Sequence, residues 1–110
     1  MYSKCSINDS MECLGYIANL VGIEHVAFGP DTMFGDHVAL HNLFAASLSI
    51  ASARGQVPID FVEYVDGIEN PAEAFPNIVR WLVSHGYSDD DIARAIGGNV
   101  MRVLEEVWWR

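Results

Sequence analysis

The sequence has 110 residues, enough for a single domain with one core. Fifteen acidic residues against six basic ones leave a formal net charge of −9, which argues against nucleic acid and anionic membrane surfaces as partners. Half of the residues are hydrophobic, at the upper end for a soluble chain, so some apolar surface is expected to stay exposed.

The two cysteines, Cys5 and Cys13, match no zinc-binding spacing. So few cysteines fit a reducing compartment, and a cytoplasmic location is expected. No apolar stretch follows the N-terminal Lys4, so no signal peptide is read, and no run reaches the ~18 apolar residues of a membrane span.

Residues 1–7 read as a frayed start. Asn8, Asp9 and Ser10 offer an N-cap, and Met11, Leu14, Ile17, Ala18 and Val21 then share one helical face, predicting a helix over 9–21 closed by Gly22. His25 to Phe28 form a short apolar run bounded by breakers, the pattern of a buried strand over 25–29. Gly29-Pro30 stop it, which leaves Asp31 just past its C-terminal end. That edge is where side chains of α/β barrels do chemistry, and it is equally a place where an Asp caps a turn.

Asp36 precedes a long predicted helix over 37–54, with Leu40, Leu43, Phe44, Leu48 and Ala51 as its stripe and many small residues on its other faces. Residues 56–70 mix polar and apolar side chains and read as an irregular crossing, with a turn at Asp66-Gly67. Asn70-Pro71-Ala72-Glu73 reads as a helix cap, and Pro76 is expected to break that helix after one turn. Phe75, Ile78, Val79, Leu82 and Val83 are its expected apolar stripe, and Gly86 its stop. Ser88 with Asp89, Asp90 and Asp91 starts a short helix that should end at Gly97-Gly98. Asn99 is then expected to cap the last helix, with Val100, Val103, Leu104, Val107 and Trp108 facing inward.

Few residues carry chemistry. His37 and His41 stand at i, i+4, which puts both rings on one helical face as in helical zinc pairs, with Asp31 and Asp36 nearby. The same four residues also suit a plain helix start, and no Glu follows His37 to complete a metalloprotease signature. His25 reads as structural, and His85 sits where a helix C-terminus favours a partly cationic ring. The three Asp at 89–91 read as a solvated helix start. No phosphate loop, dinucleotide fingerprint or nucleophile elbow is present.

The stretches Phe75-Pro76-Asn77-Ile78, His85-Gly86-Tyr87-Ser88-Asp89-Asp90-Asp91-Ile92-Ala93 and Gly97-Gly98-Asn99-Val100-Met101-Arg102-Val103 resemble the tail of the membrane (renal) dipeptidase family. The stretch Gly22 to Asp31 resembles the last barrel strand of that family. The resemblance covers most of residues 12–108. It implies the terminal βα section of a (β/α)8 barrel, roughly its last third, from enzymes that use two zinc ions to hydrolyse dipeptides. It assigns to Asp31 the acid that handles the proton of the nucleophile and of the leaving amine. A carboxylate suits that role, since it can take a proton from metal-bound water and return it. The usual Ser or Thr before this Asp is here Pro30, and Asp-Gly does not follow, so the substrate side chain stays open. The zinc ligands of that family lie on upstream strands that this sequence does not hold.

The expected architecture is therefore a single domain over 1–110, mainly α with one or two short strands. Three functions compete: a dipeptidase-like fragment inactive alone, a self-associating structural or interaction protein, and a small metal-binding protein built on Asp31, Asp36, His37 and His41. No cofactor is expected for the lone chain, and zinc for the family it resembles. Its expected partners are a second copy, an upstream barrel fragment and, in that family, a dipeptide. An unpaired strand edge and uncovered apolar stripes predict a homodimer.

Overall fold

A capping interaction at Ser6 starts the first helix. A computed structural model describes residues 5–35, 39–40, 43 and 64–109. The carboxylate of Asp9 accepts from the Ser6 backbone N–H at 2.7 Å and from the Ser6 hydroxyl at 2.9 Å. Asp9 thus ties down an otherwise orphaned amide, and helix α1 runs from Ile7 to Val21, two residues earlier than predicted. The expected cap among Asn8, Asp9 and Ser10 is corrected to Ser6. Met11 and Leu14 are buried and Ala18 is half-buried, whereas Ile17 and Val21 are exposed. Gly22 ends the helix at φ 95°, a conformation that glycine adopts without penalty, and its N–H reaches back to the Ala18 carbonyl.

Cys5–Ser6 form strand β1, which pairs in parallel with strand β2, Val65–Asp66, in the register Cys5 to Val65 and Ser6 to Asp66. The frayed start expected over 1–7 is thus corrected at its end. Gly67, at φ 96°, makes the predicted turn after β2, closed by the Ile68 N–H on the Val65 carbonyl.

The strand expected over 25–29 is absent. Ile23–His25 form a 3-10 turn, and the chain then runs extended to Pro30 with no ladder partner among the described residues. Val26, Phe28 and Pro30 are buried or half-buried while Ala27, Gly29 and Asp31 are exposed. The segment therefore has the alternation of a strand and, among the described residues, no neighbour whose hydrogen bonds would make it one. The predicted helix over 37–54 falls almost wholly outside the described residues.

Asn70 caps helix α2, Pro71–Ser84, by accepting the Ala72 N–H at 3.0 Å, with Pro71 at the first helical position as read. The expected break at Pro76 does not occur. A Pro at this depth removes only the bond to the Ala72 carbonyl, and both Pro76 and Ala72 are exposed, so water can take up that carbonyl. Ala74, Ile78 and Leu82, four residues apart, are the buried face, and Phe75 and Val83 point outward. At its end the Gly86 N–H bonds the Val83 carbonyl and the Tyr87 N–H bonds the Leu82 carbonyl, a Schellman closure with Gly86 at φ 79°.

Ser88 caps helix α3, Asp89–Ala93, by accepting the Asp91 N–H at 3.2 Å. The predicted stop at Gly97-Gly98 is borne out as a kink: after the turn Arg94–Gly98 begins, Gly97 leaves the helical region at φ 169° and ψ −28°, and helix α4, Asn99–Trp108, starts beyond it. Met11, Leu14, Val26, Ile68, Ala74, Ile78, Leu82 and Ile92 form one buried cluster, so α1 and α2 pack together with the 23–28 segment and α3 closing the sides. The Trp81 indole N–H donates to the Asn8 side chain at 2.8 Å, fastening α2 to the start of α1. The inner face expected of α4 is overturned: Val100, Val103, Val107 and Trp108 are exposed, and Leu104 is half-buried. The architecture is mainly helical with a short two-stranded parallel sheet. Among the described residues no helix is long and apolar enough to cross a membrane.

Candidate functional site

The 23–31 segment owes its path to the first turn of α4. Asn99 was expected to cap that helix, but its backbone is itself helical and its side chain is turned away from the helix end. It is 5% exposed, and its amide donates to the Ile23 carbonyl and to the Val26 carbonyl, each at 2.8 Å. Its carbonyl oxygen accepts from the Arg102 guanidinium at 3.2 Å, and the other guanidinium nitrogen donates to the Glu24 carbonyl at 2.8 Å. The Glu24 and Val26 carbonyls, left without a backbone donor among the described residues, are thus satisfied by two side chains one helical turn apart, and the Ile23 carbonyl, which already accepts the Val26 N–H at 3.2 Å, gains a second donor. Among the described residues no buried side-chain polar atom is left without a partner.

Between this pair and the extended segment runs an apolar groove of about 290 Å³, floored by Val26 and Ala27 and walled by Val100, Val103 and Leu104. Asp31 stands beyond it, exposed, at the end of the extended run and at φ 51°. That left-handed conformation is one that Asp tolerates better than most residues.

The remaining candidates are dispersed. Asp36, His37 and His41 lie outside the described residues. His25 is exposed, with Nε2 3.8 Å from the Glu24 carboxylate. The His85 ring stacks on Trp81 with centroids 3.6 Å apart, and its Nδ1 lies 2.8 Å from the Trp81 carbonyl in the last turn of α2, as its place at a helix C-terminus suggested. Asp91 pairs with Arg94 at 3.2 Å, and with Asp89 and Asp90 it makes the start of α3. Cys5 and Cys13 are both free thiols.

Among the described residues no three His, Cys, Asp or Glu side chains converge on a point where a metal ion could sit. Asp31 on its own does not make a zinc centre. Sequence reading marked Asn99 as a cap and passed over Arg102 except as part of the Gly-Gly-Asn-x-x-Arg element. The available signal was their i, i+3 spacing at a helix start, which puts an amide and a guanidinium on one face.

The chain is similar to the dipeptidase aclJ of Aspergillus oryzae, with 26% identity over an alignment of 112 residues that takes in 96% of this chain. The chain spans about a fifth of the length of that curated relative. No family model matches it, and no solved structure matches it. These findings establish a distant likeness to part of a dipeptidase.

Proposed function

We propose that this chain is the C-terminal section of a zinc-dependent dipeptidase of the membrane (renal) type, contributing the proton-handling Asp31 to an active centre whose metal ligands lie elsewhere. One observation carries the reading. Two of the four stretches on which the resemblance rests, Gly22 to Asp31 and Gly97 to Val103, are joined by the hydrogen bonds of Asn99 and Arg102 to Ile23, Glu24 and Val26. The likeness to a fungal dipeptidase along nearly the whole chain supports the same reading. Asp31 is an exposed carboxylate at the end of an extended run, a place from which it can accept and return a proton. In this reading the chain alone has no dipeptidase activity.

A chimera provides the test. The matching fifth of the Aspergillus oryzae dipeptidase is replaced by this chain, and dipeptide hydrolysis and zinc content are measured. Retained hydrolysis that is lost in Asp31→Ala, with zinc content unchanged, is the expected result. A folded, zinc-loaded chimera that hydrolyses nothing overturns the reading.

A second reading, a self-associating structural protein, is favoured by a different observation. Tyr16 and Leu20 on α1, and Val103, Val107 and Trp108 on α4, are all half or more exposed. Exposed apolar faces of this kind mark interaction surfaces, and a two-fold dimer covers both copies with one patch.

A further inference from the structure

We infer that Asn99 and Arg102 are positioning residues for Asp31: they set the path of the backbone that carries it. The inference rests on the dipeptidase reading only for what Asp31 does, and on geometry for how Asp31 is held.

Three observations bear on it. Among the described residues, the only backbone hydrogen bonds of the segment with partners beyond Gly22–Val26 run through these two side chains, which take the carbonyls of Ile23, Glu24 and Val26. Among the described residues the backbone of Ala27, Phe28 and Gly29 makes no hydrogen bond, so beyond Val26 the path of the segment is held there by side-chain packing and not by a ladder. Val26 and Phe28 are packed against the core, which fixes which face of the segment points inward. An extended chain has a side-chain period of two, so a slip of one residue at the latch would turn Asp31 to the opposite face. Pro30, with its φ fixed, removes one of the free rotations between the latch and Asp31.

The pair is also built for this task in its chemistry. A buried Asn with both amide hydrogens on carbonyls of one segment cannot release either without leaving an unsatisfied polar atom. Arg102 holds the Asn99 oxygen, which fixes the direction in which the amide points, and adds the third carbonyl through its second nitrogen. A helix cap would use one oxygen on its own helix; here the Asn99 amide and one Arg102 nitrogen are spent on the segment leading to Asp31.

The test uses the full chain and two variants, Asn99→Leu, which keeps the volume and removes the donors, and Arg102→Gln. Backbone 15N order parameters are measured at Ala27, Phe28 and Asp31, and in α2 as reference. The native chain should show the rigid value of about 0.85 at these positions, falling below about 0.6 in both variants while α2 stays rigid. Unchanged values at Asp31 in both variants, a native Asp31 that is already mobile, or a loss spread evenly over α2 as well, each overturn the inference. If Asn99→Leu fails to fold, Arg102→Gln decides by the same readout, since Arg102 lies on the surface. In the chimera, both variants should lower kcat at least tenfold with KM and zinc content unchanged. Chimera activity insensitive to both variants also overturns the inference. A chimera inactive with the native residues overturns the dipeptidase reading alone, and the order parameters then judge the positioning role.

Discussion

Asn99 and Val26 are separated by 73 positions in the sequence, and the Asn99 amide meets the Val26 carbonyl at 2.8 Å inside the protein. This contact ties the last helix to the segment that follows the first, and with the Ile23 contact it closes the tertiary structure across nearly the whole chain. Asn99→Ala removes two donors at once, taking from the Val26 carbonyl its donor among the described residues and leaving the Ile23 carbonyl with the Val26 N–H alone. The expected loss is about 2–3 kcal/mol, from hydrogen bonds lost without replacement. Urea denaturation of the native chain and the variant measures it. A change below about 0.5 kcal/mol, the size of an ordinary surface substitution, would mean that water replaces the amide freely.

The capping pair Ser6 and Asp9 should give a defined response to acid. The Ser6 backbone N–H, first, and its hydroxyl, second, both donate to the Asp9 carboxylate and hold its pKa below the ordinary value of 3.8. A carboxyl with a lowered native pKa stabilises the fold above its unfolded pKa, and that contribution is lost as the pH falls through the native value. Helix content at the N-terminus should therefore be steady above pH 3.8 and decline below it. Asp9→Asn should flatten this part of the acid limb in circular dichroism followed against pH. An acid limb identical in the native chain and the variant would remove Asp9 from the account.

Zinc and activity can be examined together on the isolated chain. Structural zinc needs four protein ligands, and the closest approach in the sequence is Asp31, Asp36, His37 and His41. Metal analysis after dialysis should find far less than one zinc per chain, with no release of free amino acids from dipeptides. One tightly held zinc per chain, lost in the His37→Ala, His41→Ala double variant, would instead support a small metal-binding protein.

Self-association follows from the apolar faces left open on α1 and α4. Light scattering at micromolar concentration in moderate salt should return the mass of a dimer, because salt screens the repulsion between two chains of charge −9. Val103→Glu and Trp108→Glu should each shift the population toward monomer, since a carboxylate on a buried face is costly. A monomer mass that does not change over a tenfold rise in concentration would rule out this assembly.

The sequence by itself determined what depends on neighbours within a turn or two. The period of Met11, Leu14 and Ala18, the Asn70-Pro71 start, the Gly86 stop and the Ser88 cap are all short-range matters of helix geometry, and each is where it was read. The mainly helical class follows from them. Tertiary structure alone decided the rest. His25 to Phe28 have the residues of a strand, but a strand exists only with a partner, and among the described residues they have none. Pro76 sits inside a helix because exposure lets water cover the one carbonyl that it orphans. Val103 and Val107 have the spacing of an inner face, yet spacing states only that a face exists and not what covers it. Asn99 is the sharpest case. Its position at a helix start suits a cap, and only the arrival of Ile23 and Val26 from the far end of the chain turned its amide toward them, because a Val26 carbonyl buried without a donor costs more than a helix end left to water.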